Sequence, residues 1–132
     1  MWKEINDQSK ILFNNCFNKK LIVTCAESCT GGMLASSIVS ISGSSAIFKS
    51  SVVTYSNDMK SKILNIPLKL TNENGAVSKI IAYTMAYNVL DLMNSDLSIA
   101  VTGIAGPGGG SKNKPVGLVH IGIGTKKKII TK

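Results

Sequence analysis

The chain contains 132 residues, of which 44% are hydrophobic, and it carries a formal net charge of +8 at pH 7. This length and composition exclude a disordered chain and fit one domain with a real core, so we expect residues 1–132 to form a single domain. No apolar run approaches the roughly 18–20 residues that cross a bilayer. The polar start, MWKEINDQSK, is unlike a signal peptide. The sequence therefore predicts a cytoplasmic protein with no membrane contact.

The basic residues argue against a nucleic-acid partner in spite of the net charge. All fifteen are Lys and none is Arg, so the bidentate contacts that guanidinium groups make with bases and phosphates are absent. The lysines are also scattered, and their longest run is Lys126–Lys128. We therefore do not expect DNA or RNA binding.

The potential metal ligands are few and badly spaced. Cys16, Cys25 and Cys29 show no C-x-x-C spacing, and His120 is the only histidine. A structural zinc site needs a denser set of thiol and imidazole ligands. We expect reduced thiols, no metal and no cofactor.

The first half of the chain alternates helix and strand patterns. Trp2, Ile5, Leu12 and Cys16 recur at helical spacing and predict a first helix that ends near residues 19–20. A buried strand, LIVTCA (21–26), and a helix pattern, MLASSIVSI (33–41), come next. A second strand, SVVTY (51–55), precedes a short helix, MKSKILNI (59–66), which Pro67 ends.

The second half continues the same alternation. Residues 76–93 carry an apolar stripe at helical spacing, and two buried strands, LSIAVTG (97–103) and VGLVHIGIG (116–124), follow it. KKIITK (127–132) is a candidate fifth strand. Apolar strands that alternate with helices predict an α/β fold, here a three-layer sandwich with a mostly parallel β-sheet and helices on both faces.

Three polar segments follow three predicted strands. ESCTGG (27–32), TYSNDMK (54–60) and TGIAGPGGGS (102–111) lie beyond the first, second and third strand. The carboxyl ends of parallel strands meet at one edge of the sheet, where ligands of open α/β folds bind. We therefore expect these segments to form one site.

Ser28 allows two interpretations. It is either the N-cap of the following helix or a nucleophile exposed where the strand turns into that helix. Thr30 could supply the cap instead, which would leave Ser28 free. The Gly31–Gly32 pair favours a close backbone approach to a ligand, and the N–H groups at the start of the helix, which we expect over residues 30–41, suit an oxyanion.

A serine nucleophile needs a base, and two residues are candidates. His120 is the only histidine available for a Ser-His-Asp triad, but its position within a predicted strand favours a core or sheet-face role. Lys60 follows the second strand at the predicted site edge, beside Tyr55. A lysine accepts a proton only when neutral, so burial or positive potential must lower its pKa.

The quoted segments resemble one known family. AESCTGG, VVTYSNDMK, NGAVS and AVTGIAGPGGGSKNKPVG, in this order, are similar to the C-terminal domain of the CinA (competence/damage-inducible) proteins. The resemblance runs from about residue 2 to residue 124. That domain also occurs alone as an amidase that hydrolyses nicotinamide mononucleotide to nicotinic acid mononucleotide and ammonia, without a metal.

The resemblance implies roles for individual residues. Ser28 matches the nucleophile, Lys60 the base and Thr102 a third functional residue. We add the hypothesis that Tyr55 and Thr102 orient the Ser28–Lys60 pair. We expect the substrate, a pyridine mononucleotide, to contact the first-strand segment and the glycine loop, which would hold the ribose phosphate. The expected contacts are Glu27, Thr30, Gly31, Gly32, Gly106, Gly108, Gly109, Gly110 and Ser111.

The sequence departs from the family in one respect. Members usually continue beyond the last strand into a segment with an arginine implicated in activity, and this chain contains no Arg. We therefore expect that C-terminal segment to be missing. A catalytically impaired nucleotide-binding or partner-binding module is the alternative to an active enzyme. The resemblance also implies a homodimer as the assembly.

Overall fold

A computed structural model describes residues 1–132 of the chain. It contains five helices, one short 3-10 turn and five strands. In chain order they are α1 (Trp2–Lys19), β1 (Val23–Glu27), α2 (Met33–Val39), the 3-10 turn (Ser44–Ala46), β2 (Phe48–Val53), α3 (Asn57–Leu64), α4 (Leu68–Asn74), α5 (Lys79–Leu92), β3 (Leu97–Gly103), β4 (Val119–Thr125) and β5 (Ile129–Thr131).

The five strands form one sheet in the order β2-β1-β3-β4-β5. β1 lies between β2 and β3 and pairs with both in parallel, whereas β4 and β5 join as antiparallel strands. The predicted α/β fold is confirmed, and the centre of the sheet is parallel as predicted. β4 runs antiparallel because only a loop connects it to β3, and parallel neighbours usually need a helical crossover.

The core lies in two layers on opposite faces of the sheet. Along β1, Val23 and Cys25 pack against α1 and α2, while Ala26 packs against α3 and α5. The alternation follows from the two-residue period of a strand, which sends neighbouring side chains to opposite faces. β1 is buried at every position because both faces are covered. Helices on both sides of the sheet were predicted, and the same period decides which polar residues reach the site.

The helices differ from the sequence prediction in their bounds and in number: α3 and α5 are each displaced or shortened by two or three residues at an end, and two differences are larger. α2 begins at Met33, after Gly32 in a left-handed conformation (φ 104°), and not at residue 30. α4 was not predicted, because Pro67 was taken only as the end of the preceding helix. Proline is also compatible with the start of a helix, and here Pro67 is the N-cap of α4.

β4 has one covered and one uncovered face. Gly122 and Gly124 lie against α5, and a Cβ on Gly122 would overlap the backbone of Ala82, so these glycines allow the helix to approach closely. The opposite face of the β4–β5 hairpin is apolar and remains in contact with solvent. Its side chains, each 37–49% exposed, are those of Val119, Ile121, Ile123 and Ile130.

Candidate active site

Ser28 and Lys60 form a buried pair at the carboxyl end of β1. The Lys60 Nζ atom lies 2.9 Å from the Ser28 Oγ atom. Ser28 directly follows β1, and Lys60 is the fourth residue of α3. Only 6% of Ser28 and 1% of Lys60 are exposed. A hydroxyl and an amine at this distance have the geometry that proton transfer requires.

The surroundings of Lys60 favour its neutral form. Its Nζ donates to the carbonyl oxygens of Thr54, at 2.8 Å, and Tyr55, at 3.4 Å, and no carboxylate pairs with it. Burial lowers the pKa of Lys60 from its ordinary value of 10.5, and the nearby Cys29 thiol opposes this only in part. A neutral amine has two N–H bonds for the two carbonyls and one lone pair, which can accept the Ser28 proton.

The local sequence places Lys60 at Ser28. The Ser56 Oγ caps α3 by accepting the Met59 N–H at 3.1 Å, so the helix starts immediately after β2. The Thr54 N–H donates to the Glu27 carbonyl oxygen at 2.8 Å, which holds the end of β2 beside the end of β1. The first turn of α3 therefore carries Lys60 back over the end of β1, while Lys62, two residues later, points to solvent and pairs with Asp58.

Ser28 does not cap the helix that follows it. The N-cap of α2 is Gly32, and no side chain of the cap residue accepts a hydrogen bond there. The Ser28 N–H instead donates to the Val101 carbonyl oxygen at 3.0 Å, which extends the pairing between β1 and β3 by one residue. Of the two interpretations of Ser28, the N-cap is therefore wrong.

Glu27 lies on the other face of the sheet from Ser28. Its carboxylate is fully buried and accepts the N–H groups of Gly32 at 3.0 Å, Leu34 at 3.0 Å and Ala35 at 2.9 Å. Glu27 was predicted to contact the substrate, and this prediction is corrected: the carboxylate faces α2 and does not line the cavity beside Ser28. The predicted oxyanion site at the start of α2 is corrected as well, because Glu27 occupies those donors.

Thr30, Gly31 and Gly32, in the turn between Ser28 and α2, do not line the cavity beside Ser28 and Lys60. The Gly31 N–H donates to the Ser28 carbonyl oxygen, and Gly31 and Gly32 both have positive φ, so these glycines allow a tight turn. The Thr30 hydroxyl is buried without a hydrogen-bond partner. The N–H groups of Cys29 and Thr30 donate to no backbone oxygen of the protein and have only the neighbouring Cys29 sulfur as an acceptor, which leaves them available to a ligand beside Ser28.

A cavity of about 190 Å³ opens beside the Ser28–Lys60 pair. The four residues predicted to be catalytic all reach it. Its lining consists of Ser28, Cys29, Tyr55, Lys60, Ala76, Val77, Thr102, Gly103 and Ala105. Ala76 and Val77 belong to the NGAVS segment (74–78), for which no role was predicted. Its occurrence among the family motifs could have indicated that it lies at the site.

Thr102 and Tyr55 differ from their predicted orienting roles in detail. The Thr102 hydroxyl donates to the Ala76 carbonyl oxygen at 2.8 Å and so ties the loop before α5 to β3. Tyr55 contacts Lys60 through its backbone carbonyl, whereas 71% of the residue is exposed at the rim of the cavity. Both residues therefore shape the cavity, and neither side chain donates to Ser28 or Lys60.

The thiol beside the nucleophile is not primed to react. Burial raises the pKa of Cys29 above its ordinary value of 9.0, an effect that its backbone neighbours and Lys60 reduce. Since this pKa lies above 9.0, Cys29 is mostly a neutral thiol near pH 7. The thiolate is the reactive form of cysteine, so Cys29 is a poor nucleophile here. Of the hydroxyl and thiol groups that line the cavity, only that of Ser28 is hydrogen-bonded to Lys60.

The glycine loop lies outside the lining of this cavity. Of the loop formed by residues 105–111, only Ala105 lines the cavity. The residues predicted to hold the phosphate do not line it, and most of them are exposed; they are Gly106, Gly108, Gly109, Gly110 and Ser111. The Ser111 Oγ accepts the Lys114 N–H, and the Lys114 Nζ donates to the Asn74 carbonyl oxygen at 2.8 Å. These two contacts tie the loop to the end of α4, so it borders the site without closing it.

His120 does not compete with Lys60 as the base. It lies on β4 opposite Thr102, outside the cavity lining, and its Nδ1 atom is buried without a partner. No three His, Cys, Asp or Glu side chains come together in a way that could hold a metal ion. A larger cleft of about 320 Å³, between α5 and the β4–β5 turn, contains no nucleophile–base pair. The smaller cavity is therefore the candidate active site.

Comparison with known proteins gives a consistent result. The family model of the CinA C-terminal domain matches residues 6–132. A CinA-like protein of Prochlorococcus marinus subsp. pastoris is 52% identical over 115 residues, which are 87% of this chain and 27% of that protein. A CinA-like protein of Endomicrobium trichonymphae is 57% identical over 111 residues. The chain thus spans about a quarter of the length of these curated relatives.

Solved structures share the fold over nearly the whole chain. The competence/damage-inducible protein CihA of Agrobacterium tumefaciens is 39% identical with a TM-score of 0.94, and the match covers 97% of this chain and 78% of that one. A CinA superfamily protein of Escherichia coli is 32% identical with a TM-score of 0.92, over 97% and 74% of the two chains.

None of the helices in this chain has the length and apolar character needed to cross a membrane.

Proposed function

This chain belongs to the CinA C-terminal domain family, and we propose that it is an amidohydrolase that converts nicotinamide mononucleotide to nicotinic acid mononucleotide and ammonia. The single observation that carries the proposal is the buried Ser28–Lys60 pair, 2.9 Å apart at the wall of a cavity. A neutral base in contact with a hydroxyl is what nucleophilic attack on an amide requires. The resemblance supplies the substrate, and the site supplies the chemistry.

The reaction begins with attack on the carboxamide. Neutral Lys60 takes the Ser28 proton while Oγ forms a bond to the carboxamide carbon, whose oxygen becomes negative. We assign that oxygen to the N–H groups of Cys29 and Thr30, which have no backbone acceptor and take the role first expected of the α2 N-terminus. The resulting Lys60 ammonium then gives its proton to the leaving nitrogen as the carbon–nitrogen bond breaks, and ammonia departs.

Water completes the cycle. It attacks the acyl–serine ester with Lys60 again as the base, the carbon–oxygen bond to Ser28 breaks, and the acid is released. Lys60 returns the proton to Ser28, so no metal or redox group takes part in the balance. The cavity of about 190 Å³ suits a flat ring with its carboxamide, and we place the ribose phosphate towards the exposed glycine loop of residues 106–111, beside Lys112 and Lys114.

The test is release of ammonia from nicotinamide mononucleotide by the purified chain. We expect turnover in the wild type and its loss in Ser28→Ala, which should remain folded because the Ser28 side chain caps no helix. Ser40→Ala is the matched control, since its exposed hydroxyl donates only to the Ser37 carbonyl oxygen. A folded wild type without turnover would favour the binding-module alternative, and residual turnover in Ser28→Ala would remove Ser28 as the nucleophile.

A further inference from the structure

We propose that Glu27 is a positioning residue, whose buried carboxylate closes the turn of residues 28–32 and thereby holds Ser28 against Lys60. The proposal rests on the proposed function in one respect only, namely that Ser28 is the nucleophile. It assigns Glu27 a task in the reaction without any contact with the substrate. The carboxylate acts from the opposite face of the sheet, through the backbone.

The turn is fixed at both ends by hydrogen bonds. At its start, the Ser28 N–H donates to the Val101 carbonyl oxygen at 3.0 Å. At its end, the N–H groups of Gly32, Leu34 and Ala35 all donate to Glu27, at 2.9–3.0 Å. Glu27 therefore ties Gly32 back to the end of β1, and the four residues between them, Ser28 included, form a turn that is held at both ends.

The site requires a carboxylate rather than a residue of similar size. One oxygen of Glu27 accepts two N–H groups and the other accepts the third, while the Ser51 hydroxyl lies 3.5 Å away. The amide of a glutamine would turn its NH₂ group towards at least one of these donors. No Lys pairs with Glu27, so its hydrogen-bond partners are the three N–H groups and, at longer distance, the Ser51 hydroxyl.

Small displacements of Ser28 should be costly. A shift of about 1 Å in a reacting group can lower a rate on the order of a hundredfold. Releasing the end of the turn would let Ser28 move relative to Lys60, which α3 holds independently. We therefore expect Glu27→Gln to lower the rate of Ser28 acylation by about ten- to a hundredfold, with little change in KM, because Glu27 does not line the cavity.

The reactivity of Ser28 can be measured without the substrate. A fluorophosphonate probe labels activated serines, and mass spectrometry locates the modified residue. Labelling rates would be compared for wild type, Glu27→Gln, Glu27→Asp and the control Asp96→Asn. Asp96 is a matched control because its carboxylate also accepts a backbone N–H near β1, that of Ile22 at 2.9 Å, but at the opposite end of the strand. Circular dichroism would show which variants are folded.

The proposal predicts slow labelling in Glu27→Gln, partial recovery in Glu27→Asp, and a wild-type rate in Asp96→Asn. The midpoint of the rate–pH curve should not move, since Lys60 keeps its surroundings. Wild-type labelling in a folded Glu27→Gln, or in Glu27→Asp if the first variant does not fold, would overturn the positioning role, as would a shifted midpoint. If Ser28 of the wild type is not labelled at all, the nucleophile and its positioning residue fail together, which separates this failure from that of Glu27 alone.

Discussion

Glu27 and Lys60 are two buried ionisable residues with different surroundings. Glu27 is fully buried and Lys60 is 1% exposed. The Glu27 carboxylate accepts three backbone N–H groups. The amine contacts two carbonyl oxygens and a hydroxyl, none of them charged.

The difference explains why Glu27 has a structural role and Lys60 a catalytic one in the proposed mechanism. Glu27 accepts three N–H groups at the start of α2, so it can hold a turn in place. Uncharged acceptors give the Lys60 ammonium much less compensation for its lost hydration, so burial lowers its pKa. In our proposal the two residues act on Ser28 from opposite faces of the sheet: Glu27 fixes the position of Ser28, and Lys60 accepts its proton.

Removal of the base should have the largest effect. Lys60→Met deletes the base, and we expect amide hydrolysis to fall by about 10²–10⁴, the usual contribution of general acid–base catalysis. Lys62→Met is the control, because that lysine lies on the same helix but is exposed and pairs with Asp58. Ammonia release measured for both variants checks the prediction, and equal activities would break the comparison between Glu27 and Lys60.

The next largest effect should be on how the free energy of unfolding depends on pH, to which Lys60 contributes. The pKa of Lys60 in the folded chain lies below the 10.5 of an exposed lysine, so between these values the unfolded state binds more protons. The free energy of unfolding should therefore rise with pH across that window, by about 1.4 kcal/mol per unit of lowered pKa. Urea unfolding of wild type and Lys60→Met over this range tests the effect. The variant should lack that part of the rise, and an unchanged slope would show that Lys60 does not supply it.

The smallest expected effect comes from the helix that carries the base. Ser56→Ala removes the N-cap of α3 and should lower the free energy of unfolding by about 1 kcal/mol. The turn held by Glu27 should be unaffected, so Ser28 would keep its place while Lys60 becomes less firmly anchored. Chemical denaturation with Ser40→Ala as the exposed-serine control measures this. A loss no larger than that of the control would show that the cap does not support α3.

Much of the fold followed from local patterns. The third strand occupies residues 97–103, where a short apolar run predicted it. Ser28, Lys60 and Thr102 were placed at one edge because each follows or ends a strand, and they do line one cavity. These inferences need only the rule that parallel strands end together.

The remainder depended on long-range contacts that no local pattern reveals. Serine and threonine are the usual caps, so Ser28 and Thr30 were considered for α2, whereas the N–H groups at its start are held by a carboxylate five residues before the N-cap. Glu27 was assigned to the substrate because it adjoins Ser28 in sequence. The two-residue period of the strand sends it to the other face. The position of the glycine loop depends on Lys114 reaching Asn74, forty residues away in sequence.

The uncovered face of the β4–β5 hairpin has a consequence for how the protein behaves at high concentration. Val119, Ile121, Ile123 and Ile130 form a flat apolar surface beside an edge strand, which is the type of surface through which chains associate. The net charge of +8 opposes such association by mutual repulsion. Repulsion is screened within about 8 Å at physiological ionic strength, whereas the attraction of apolar surfaces is not. The colloidal stability of this chain should therefore be greatest in dilute buffer and decrease as salt is added.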